Sequence, residues 1–384
     1  MTILVTGAGS GGHITPILAV AAELKKLDPS TRIVFVAQKG GKLSDIVEDN
    51  PNIDNVYYVS AGKLRRFADK NISQLLDVRT QSLNVRDLFR TVSGLAQSWR
   101  LLGKIKPDVV FTRGGYISVP VAIAAWMRNI SYITHDSDST PSLANRIIAP
   151  RASLHAVALD PSTYPYPKDK TIKVGVPINA EFKYVTDKDQ QKFKEEIGFN
   201  KDDKVLCITG GGNGADILNQ LVMGNILLWL RKYPDLKIVH IAGRTLAEEM
   251  TKTYDSLMDS GLRKRVIIKG FVNDLYRYSG AADLIIARGG ATNLTEFAAQ
   301  GKACVIIPAK SLIWNVRNVK ALADKHAIVA LSEDEAAQKN RLADTVINLL
   351  DDQKSREELK KNFIQYYVPD SAEKIAKLIL NINK

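Results

Sequence analysis

The chain has 384 residues, of which 45% are hydrophobic and 24% are charged; these proportions are typical of a water-soluble globular protein, and the length predicts two domains. No apolar run approaches the ~20 residues that a membrane-spanning helix needs, and the first residues lack the charged-then-apolar pattern of a signal peptide. The formal net charge of +12 favours anionic partners: nucleic acid, phosphorylated ligands or an acidic membrane surface.

The chain opens with a glycine-rich turn between a predicted strand and a predicted helix. Residues 3–5 are apolar, as in a buried strand, and residues 16–27 have the amphipathic pattern of a helix. The sequence between them, Gly7-Ala8-Gly9-Ser10-Gly11-Gly12-His13, allows backbone N–H groups to approach a ligand closely. Together with the positive end of the helix dipole, this turn predicts a site for an anion or a polar substrate.

The spacing of Gly7, Gly9 and Gly12 also fits the dinucleotide-binding fingerprint G-x-G-x-x-G. That fingerprint needs an acidic residue after the second strand, where it binds the ribose. Here the predicted second strand, residues 32–36, leads into Ala37-Gln38-Lys39. The missing acid argues against NAD or FAD, and we expect no cofactor.

Strands and helices alternate through the first half of the chain, which predicts a parallel sheet covered on both faces. The predicted strands are residues 3–6, 32–37, 55–59, 109–112, 131–134 and 154–157, and the predicted helices include 120–128 and 142–148. From residue 164 the sequence becomes rich in proline and lysine. We therefore assign residues 1–165 to a first domain and 166–178 to a linker.

The pattern restarts in residues 179–368, the predicted second domain. A strand at 205–209, a glycine turn at 210–214 and a helix at 216–230 repeat the opening of the chain, and further strands are predicted at 237–241, 266–269, 284–287 and 304–307. Residues 369–384 carry a last helix, expected to pack back on the first domain. The predicted fold is α/β, with two Rossmann-like open α/β domains that face each other across a cleft.

Two features bear on the cellular setting. Cys207 and Cys304 lie in apolar strand-like runs, as expected for buried thiols in a reducing cytoplasm. Residues 61–106 carry ten basic and three acidic side chains, interleaved with apolar residues such as Phe67, Phe89 and Trp99. A solvated helical face explains this pattern, and so does a surface that rests on anionic lipid. Nucleic acid is not expected as a partner, because no nucleic-acid-binding motif accompanies the charge.

A second glycine turn, Arg288-Gly289-Gly290, separates a predicted buried strand from a helix that carries Glu296. Backbone N–H groups at this helix start can hold a phosphate, with Thr292 predicted as the N-cap. The Glu296 carboxylate can accept hydrogen bonds from both hydroxyls of a ribose. Alternatively, Glu296 is an acid favoured only by the helix dipole.

Five motifs occur in order along nearly the whole chain: Gly-x-Gly-x-Gly-Gly-His-x-x-Pro at 7–16, the turns at 113–120 and 211–220, Gly-Phe-Val-Asn-Asp-Leu at 270–275, and Arg-Gly-Gly-Ala…Glu at 288–296. In this order and spacing the sequence resembles the MurG family of peptidoglycan glycosyltransferases, in the GT-B superfamily. The resemblance implies transfer of N-acetylglucosamine from UDP-GlcNAc to the undecaprenyl-linked acceptor lipid I, giving lipid II with inversion at the sugar. It also implies a cytoplasmic enzyme that is peripheral on the cytoplasmic face of the membrane.

The resemblance also implies roles for individual residues. His13 would be the catalytic base, or would only hydrogen-bond the turn or the substrate. Glu296 would bind the ribose, the Val272 backbone would bind the uracil, and Arg288 would contribute to stabilising the leaving UDP. Ser10, Gly11 and Gly12 would line the cleft beside the acceptor and contact the donor. The remaining implied donor-binding residues are Asp138, Asn179, Gly212, Ala291, Thr292, Asn293, Leu294, Thr295 and Asn315.

The sequence departs from the family pattern mainly at positions implied to contact the donor sugar. The family's His-Glu-Gln-Asn is replaced by His135-Asp136-Ser137-Asp138, and its paired glutamines fall on Trp314-Asn315. Gly212 stands in place of a serine, and Asn179 in place of an arginine. Rival interpretations are therefore a related transferase with another UDP-sugar or lipid acceptor, and a catalytically weakened UDP-sugar-binding scaffold at the membrane.

Asp136 and Asp138 also resemble the Asp-x-Asp metal clamp of another glycosyltransferase fold. They precede a predicted helix start at Pro141-Ser142 and lie far in sequence from the nucleotide motifs. We therefore favour turn and cap chemistry for these carboxylates. The five histidines show no ligand spacing, and no metal site is predicted.

Overall fold

A computed structural model describes residues 1–7, 11–40, 44–63, 78–212 and 214–382; for residues 11–13, 44, 45 and 78–80 it describes the backbone alone. The chain divides into two compact units, one of residues 1–179 with 370–384 and the other of residues 180–369. Within the described ranges, no helix is long and apolar enough to cross a membrane.

The first unit contains a parallel sheet of seven strands among its described residues, in the order β3-β2-β1-β4-β5-β6-β7. Its strands are β1 (Thr2–Thr6), β2 (Arg32–Gln38), β3 (Asn55–Val59), β4 (Val109–Thr112), β5 (Ser131–Asp136), β6 (Leu154–Val157) and β7 (Thr171–Lys173). The helices between them are α1 (Gly11–Leu27), α2 (Ser44–Glu48), α3 (Val78–Ile105), α4 (Ser118–Met127) and α5 (Leu143–Ile148). Short 3-10 helices span Ala149–Arg151, Pro161–Thr163 and Lys168–Lys170.

Successive strand residues send their side chains to opposite faces of this sheet, and both faces are buried. Val5 packs on one face with Ile17 of α1, whereas Leu4 packs on the other with Val121 of α4. Because both faces are covered by helices, the central strands are continuous apolar runs. This explains why their bounds follow the predicted ones closely.

The second unit repeats the design with six described strands, in the order β10-β9-β8-β11-β12-β13 and all parallel. They are β8 (Lys204–Thr209), β9 (Leu236–Ile241), β10 (Val266–Lys269), β11 (Leu284–Ala287), β12 (Cys304–Ile306) and β13 (Val329–Ala330). The helices are α6 (Asp187–Glu196), α7 (Asp216–Met223), α8 (Ile226–Lys232), α9 (Ala247–Leu257), α10 (Ser260–Arg263), α11 (Leu275–Ala281), α12 (Ala291–Ala299), α13 (Ile313–Ala323), α14 (Glu333–Ala336), α15 (Arg341–Asp351) and α16 (Gln353–Phe363), with a 3-10 helix at Ile364–Tyr366.

The last helix, α17 (Ser371–Asn381), belongs to the first unit and packs against α1. Its apolar side chains Ile375 and Ile379 are fully buried in the core that contains β1. The second unit is thus inserted into the first, between the segment after β7 and α17.

Three local predictions need correction. The segment predicted as a linker contributes β7, whose backbone bonds to β6 at the edge of the first sheet. The helix α1 begins at Gly11 and includes Pro16, because a proline costs one backbone hydrogen bond while Ile14 and Ile17 are buried beside it. The helix predicted at 216–230 is two helices, which are separated at Gly224-Asn225, both weak helix formers.

Candidate active site

In both units the strand order reverses beside the first strand of the sheet, between β1 and β4 and between β8 and β11. In open parallel sheets, ligands bind at this point, outside the carboxyl ends of the strands. The two glycine turns of the second unit lie there: residues 210–214 follow β8, and Arg288-Gly289-Gly290 follow β11. The sheet topology therefore brings together two motifs that are about eighty residues apart in the sequence.

The helix α12 begins at this point with an N-terminus that no side chain caps. Gly290 is the cap residue, and a Cβ atom added to it would meet no atom within 4 Å. Leu294 N–H bonds to the Gly290 carbonyl oxygen, so the backbone N–H groups of Ala291, Thr292 and Asn293 precede the first intrahelical bond. Such a helix start attracts an anion. The prediction that Thr292 is the N-cap is wrong, because the residue with extended backbone that precedes the helix is Gly290, two residues earlier.

Glu296 lies on the second turn of α12 and is 6% exposed. In the described part of the chain, no hydrogen bond or ion pair engages its carboxylate, and burial raises the pKa of this group to about 8. A buried carboxyl group without a partner costs stability. We would expect such a group to be retained only where a ligand supplies the missing hydrogen bonds.

Not every residue of the 291–296 segment can face a ligand through its side chain. Leu294 is fully buried in the apolar core, and the Thr295 hydroxyl donates to the Ala291 carbonyl oxygen over 2.8 Å. Ala291 and Thr292 are buried, and Asn293 is half-buried. At this helix start the groups available to a ligand are therefore backbone N–H groups and the Glu296 carboxylate.

Glycine is required where the turn meets α13. A Cβ atom on Gly289 would lie 2.4 Å from a methyl group of Val319 and 3.5 Å from the Asn315 carbonyl oxygen. This close approach places the first turns of α13 beside the 288–290 turn. Asn315 is 8% exposed, and its side-chain amide makes no hydrogen bond to any described residue. The amide is thus another polar group at this end of the sheet whose hydrogen-bonding capacity no described residue uses.

The turn after β8 contacts the loops that follow β9 and β10. A Cβ atom on Gly212 would lie 3.2 Å from the Phe271 ring, and the Arg244 guanidinium lies 4.3 Å from the centre of that ring. Gly214 has φ +78° and lies against the Ala242 carbonyl oxygen, where a side chain would clash at 2.2 Å. Val272 is half-buried beside Phe271. Because of these contacts, Gly212, Arg244 and Val272 lie near one another.

A chain of buried hydrogen bonds fixes the start of the loop that follows β9. Asn219 Nδ2 donates to the Ala242 carbonyl oxygen over 3.0 Å, and Asn219 Oδ1 lies 3.0 Å from His240 Nε2. His240 Nδ1 is in turn 2.8 Å from the Tyr254 hydroxyl. Burial lowers the pKa of His240 to about 4, so this chain is neutral at physiological pH.

Arg288 is held by the protein rather than extended into solvent. Its Nη1 lies 2.7 Å from Glu333 Oε1 and donates to the Ile307 carbonyl oxygen over 3.0 Å. Nothing in the local sequence indicates that Glu333 belongs beside residue 288, so sequence reasoning missed it.

In the first unit, a second polar cluster lies at the carboxyl ends of β4 and β5. Arg113 is 5% exposed; its Nε donates to His135 Nδ1 over 3.3 Å, and its Nη2 donates to the Ser137 hydroxyl. His135 Nε2 donates to the Gly175 carbonyl oxygen over 2.9 Å. Burial, followed by the Arg113 charge, lowers the pKa of His135 to about 3. His135 is therefore a neutral imidazole that holds the buried guanidinium in place.

Asp136 is held by groups that fit turn and cap chemistry. Its Oδ2 accepts from the Tyr166 hydroxyl over 2.6 Å and its Oδ1 from Ser142 N–H over 3.2 Å. Ser142 is the N-cap of α5, with its hydroxyl accepting from Asn145 N–H. Asp138 is half-buried. Tyr166 lies in the segment predicted as a linker. No pattern in the sequence indicates that its hydroxyl would contact Asp136.

The remaining predicted residues of the first unit are less fully described. Ser10 lies outside the described residues, and Gly11, Gly12 and His13 form the first turn of α1, where the backbone alone is described. Asn179 is exposed at the end of the first unit. Within the described ranges, no group of three or more His, Cys, Asp or Glu side chains is placed to hold a metal ion. Cys207 and Cys304 are buried free thiols, as predicted.

Two Rossmann-like units, each with a parallel sheet whose strand order reverses beside its first strand, define the GT-B class of nucleotide-sugar enzymes. Models of the glycosyltransferase family 28 N-terminal and C-terminal domains match residues 3–156 and 205–377. The chain belongs to this family and is a glycosyltransferase. The fold class predicted from the sequence is thus confirmed.

Named relatives agree with this assignment. A Clostridium botulinum UDP-N-acetylglucosamine–N-acetylmuramyl-(pentapeptide) pyrophosphoryl-undecaprenol N-acetylglucosamine transferase is 33% identical, over 87% of this chain and 86% of its own. A Bacillus cereus protein of the same name, numbered 1, is 30% identical over 100% of both chains. A crystal structure of Acinetobacter baumannii MurG matches 99% of each chain with a TM-score of 0.69 at 20% identity, and shows the same fold.

Proposed function

We propose that this protein transfers N-acetylglucosamine from UDP-GlcNAc to the undecaprenyl-pyrophosphoryl-MurNAc-peptide, lipid I, and so forms lipid II with inversion at the sugar. The full-length relatives named for this reaction support the proposal. The observation that carries it is the unpartnered buried carboxylate of Glu296, beside the uncapped start of α12. One group suits a ribose diol and the other suits a diphosphate.

In this proposal the second unit binds the donor. Glu296 accepts hydrogen bonds from the ribose hydroxyls, and the Val272 backbone meets the uracil. The diphosphate lies between the start of α12 and Gly212, where backbone N–H groups and the helix dipole stabilise negative charge. Arg288 supports this site while it is held by Glu333, and the free amide of Asn315 is available to a sugar hydroxyl.

The first unit binds the acceptor. Its residues Ser10, Gly11, Gly12, Asp138 and Asn179 contact the donor, near the sugar and phosphate groups of UDP-GlcNAc. The acceptor hydroxyl oxygen attacks the anomeric carbon of N-acetylglucosamine. As that bond forms, the bond from the anomeric carbon to the UDP oxygen breaks, and UDP leaves with the electron pair. The hydroxyl proton goes to the His13 imidazole, because imidazole is the side chain best suited to accept a proton near neutral pH.

The His13 assignment is tested by the His13→Ala variant. General-base catalysis contributes about 10²–10⁴-fold, so kcat should fall by that factor. UDP affinity should stay close to wild type, because the proposed UDP site is in the other unit. The Asn293→Ala variant is a useful comparison, since it alters the donor helix and leaves the base in place. A kcat within a few-fold of wild type, with an unmoved acid limb of the pH profile, would exclude His13 as the base.

A lipid-linked acceptor also requires a surface that meets the membrane, and α3 offers one. Val85, Leu88, Phe89 and Val92 follow the i, i+3, i+4, i+7 spacing of one helix face, and they are 54%, 56%, 72% and 59% exposed. We call these four residues the α3 stripe. Exposed apolar residues in such a stripe are typical of a helix that lies in a membrane interface.

Pairs of a basic and an exposed aromatic side chain occur in the same unit. The Arg128 guanidinium lies 4.1 Å from the centre of the Trp99 ring, and that of Arg151 lies 4.9 Å from the centre of the Trp126 ring. Both tryptophans are more than 40% exposed. Such pairs suit the boundary between acyl chains and anionic headgroups. We propose that the enzyme is cytoplasmic and peripheral, with the α3 stripe on the anionic inner leaflet, and that nucleic acid is not a partner.

The changed residues at 135–138 and 314–315 are compatible with two alternative functions. A related transferase with another UDP-sugar or lipid acceptor would share the nucleotide site and differ at the sugar. A catalytically weakened UDP-sugar-binding scaffold would bind UDP without turnover. Turnover with several UDP-sugars distinguishes these functions.

A further inference from the structure

The first unit contains a cavity of about 220 Å³ that none of the proposed catalytic steps uses. It lies between the chain that follows α5 and the segment that leads into β7. Its walls include Arg146, Pro150, His155, Pro165, Tyr166 and Lys170.

One of the residues that line this cavity is a buried histidine, and only one of its two ring nitrogens has a hydrogen-bond partner among the described residues. His155 is 1% exposed, and its Nδ1 lies 2.8 Å from the Thr134 hydroxyl. Its Nε2 has no hydrogen-bond partner among the residues that the structure describes. The Tyr166 ring stacks on the imidazole, with 4.0 Å between ring centres and 11° between planes. The orientation of the imidazole is thus fixed by the Thr134 contact and the Tyr166 stack, whereas its Nε2 atom is available to a ligand.

Two basic side chains, Arg146 and Lys170, also line the cavity. Arg146 and Lys170 are both exposed, and neither forms an ion pair within the described ranges. The Arg146 Nε donates to the Pro141 carbonyl oxygen, which leaves its other N–H groups for a ligand. Burial and then the Lys170 charge lower the pKa of His155 to about 4, so the imidazole is neutral at pH 7. In the tautomer whose Nδ1 accepts from the Thr134 hydroxyl, Nε2 carries the N–H.

We propose that this cavity binds a small phosphate monoester whose body is compact and apolar. The phosphate would pair with Arg146 and Lys170 and accept from His155, because oxyanions are bound by convergent cationic and N–H donors. The body would lie against Tyr166 and the prolines. The volume is below the ~300–1,000 Å³ of pockets for drug-sized ligands, which limits the ligand to about one ring or a short chain.

The position of Tyr166 connects this cavity to the carboxyl end of the sheet. Its ring forms a wall of the cavity, and its hydroxyl donates to Asp136 over 2.6 Å. A ligand in the cavity would therefore touch the same side chain that holds Asp136.

The test is a titration of the full-length protein, followed by the NMR signal of the His155 ring, which the His155→Gln variant assigns. Phenyl phosphate has both the phosphate group and the compact apolar body that the proposal requires. Inorganic phosphate has only the phosphate, and benzyl alcohol has only the apolar body. Dihexanoyl phosphatidic acid, below its micelle concentration, offers the same phosphate on a lipid. Saturating UDP is present throughout, so that the donor site is filled and a failure of the proposed function would not affect the result.

We expect a saturable shift of the His155 signal with phenyl phosphate, or with the lipid alone if the natural source is a headgroup. The Arg146→Gln/Lys170→Gln variant should bind at least tenfold more weakly. The Lys168→Gln variant removes another exposed lysine from the same segment, outside the cavity wall, and should bind like wild type. The proposal is overturned if neither phenyl phosphate nor dihexanoyl phosphatidic acid shifts the signal, or if the double variant binds as tightly as Lys168→Gln.

Discussion

Arg288 and Glu333 form a mostly buried ion pair, with 2.7 Å between Nη1 and Oε1 and with side chains that are 12% and 13% exposed. The pair joins the glycine turn after β11 to the first residue of α14. Glu333 Oε2 also accepts from Lys310 N–H over 3.4 Å. One carboxylate therefore fixes the arginine beside the proposed diphosphate site and the loop after β12.

The Glu333→Gln variant should lower the free energy of unfolding by about 1–3 kcal/mol, the value of a charge-assisted hydrogen bond that is largely shielded from water. It should also weaken UDP binding, because the Arg288 guanidinium loses its anchor. The neighbouring Asp334→Asn variant is the control: its partner is Lys310, and both side chains are more than 70% exposed, so the loss should be below about 1 kcal/mol. Equal losses in the two variants, measured by chemical denaturation, would contradict this role for Glu333.

Glu296 should make stability fall as the pH rises. Burial raises its pKa in the folded protein from 4.5 to about 8, so the native state binds more protons than the unfolded state between these values. The free energy of unfolding should decrease across that window, with a slope of up to about 1.4 kcal/mol per pH unit. Denaturation of Glu296→Gln at pH 5 to 8 should show a flatter dependence and a more stable protein at pH 8.

The same substitution should weaken binding. Calorimetric titration of Glu296→Ala or Glu296→Gln with UDP should show a loss of roughly 1.5–3 kcal/mol, because the ribose hydroxyls favour the ionised carboxylate when they bind, and this charge-assisted pair of hydrogen bonds is removed. Glu248→Gln, at an exposed position of α9, should change neither the pH slope nor the affinity. Unchanged UDP affinity in the Glu296 variants would remove this carboxylate from the site.

The α3 stripe should govern binding to anionic vesicles. Replacing both Val85 and Phe89 by Ser removes side chains that each contribute about 1.5–3 kcal/mol when fully buried in an apolar phase, so partitioning should fall at least tenfold. Leu228→Ser alters an equally exposed apolar residue of the second unit and should have no effect. Binding should also decline with salt, since basic side chains add about 1 kcal/mol each near an anionic surface. Equal partitioning of the variant and wild type would exclude the stripe as the contact.

Local patterns in the sequence predicted much of the fold. Central strands such as β1 and β11 are continuous apolar runs bounded by glycine turns, and this signal depends only on neighbouring residues. The bounds of α7 and α8 were less predictable, because a single glycine and an asparagine decide whether one helix becomes two. The membership of β7 in the first sheet depends on pairing with β6, which no local pattern reports.

Within the candidate site, the family motifs indicated which residues to examine but not what holds them. Glu296 and the 288–290 turn could be predicted because a strand, a glycine turn and a helix are adjacent in the sequence. The pairing of Arg288 with Glu333 and of Tyr166 with Asp136 depends on chain segments 45 and 30 residues apart. Such contacts are set by tertiary packing, and a single sequence carries no signal for them.

The most direct test of the central claim is a transfer assay with purified lipid I and labelled UDP-GlcNAc, run in EDTA. We predict UDP release that depends on lipid I and a product that carries one added N-acetylglucosamine with a β linkage, the inverted configuration. UDP-glucose, UDP-galactose and UDP-GalNAc, tested in parallel, should turn over far more slowly. Transfer from another UDP-sugar in preference to UDP-GlcNAc, or UDP binding with no lipid-dependent turnover, would contradict the proposed function.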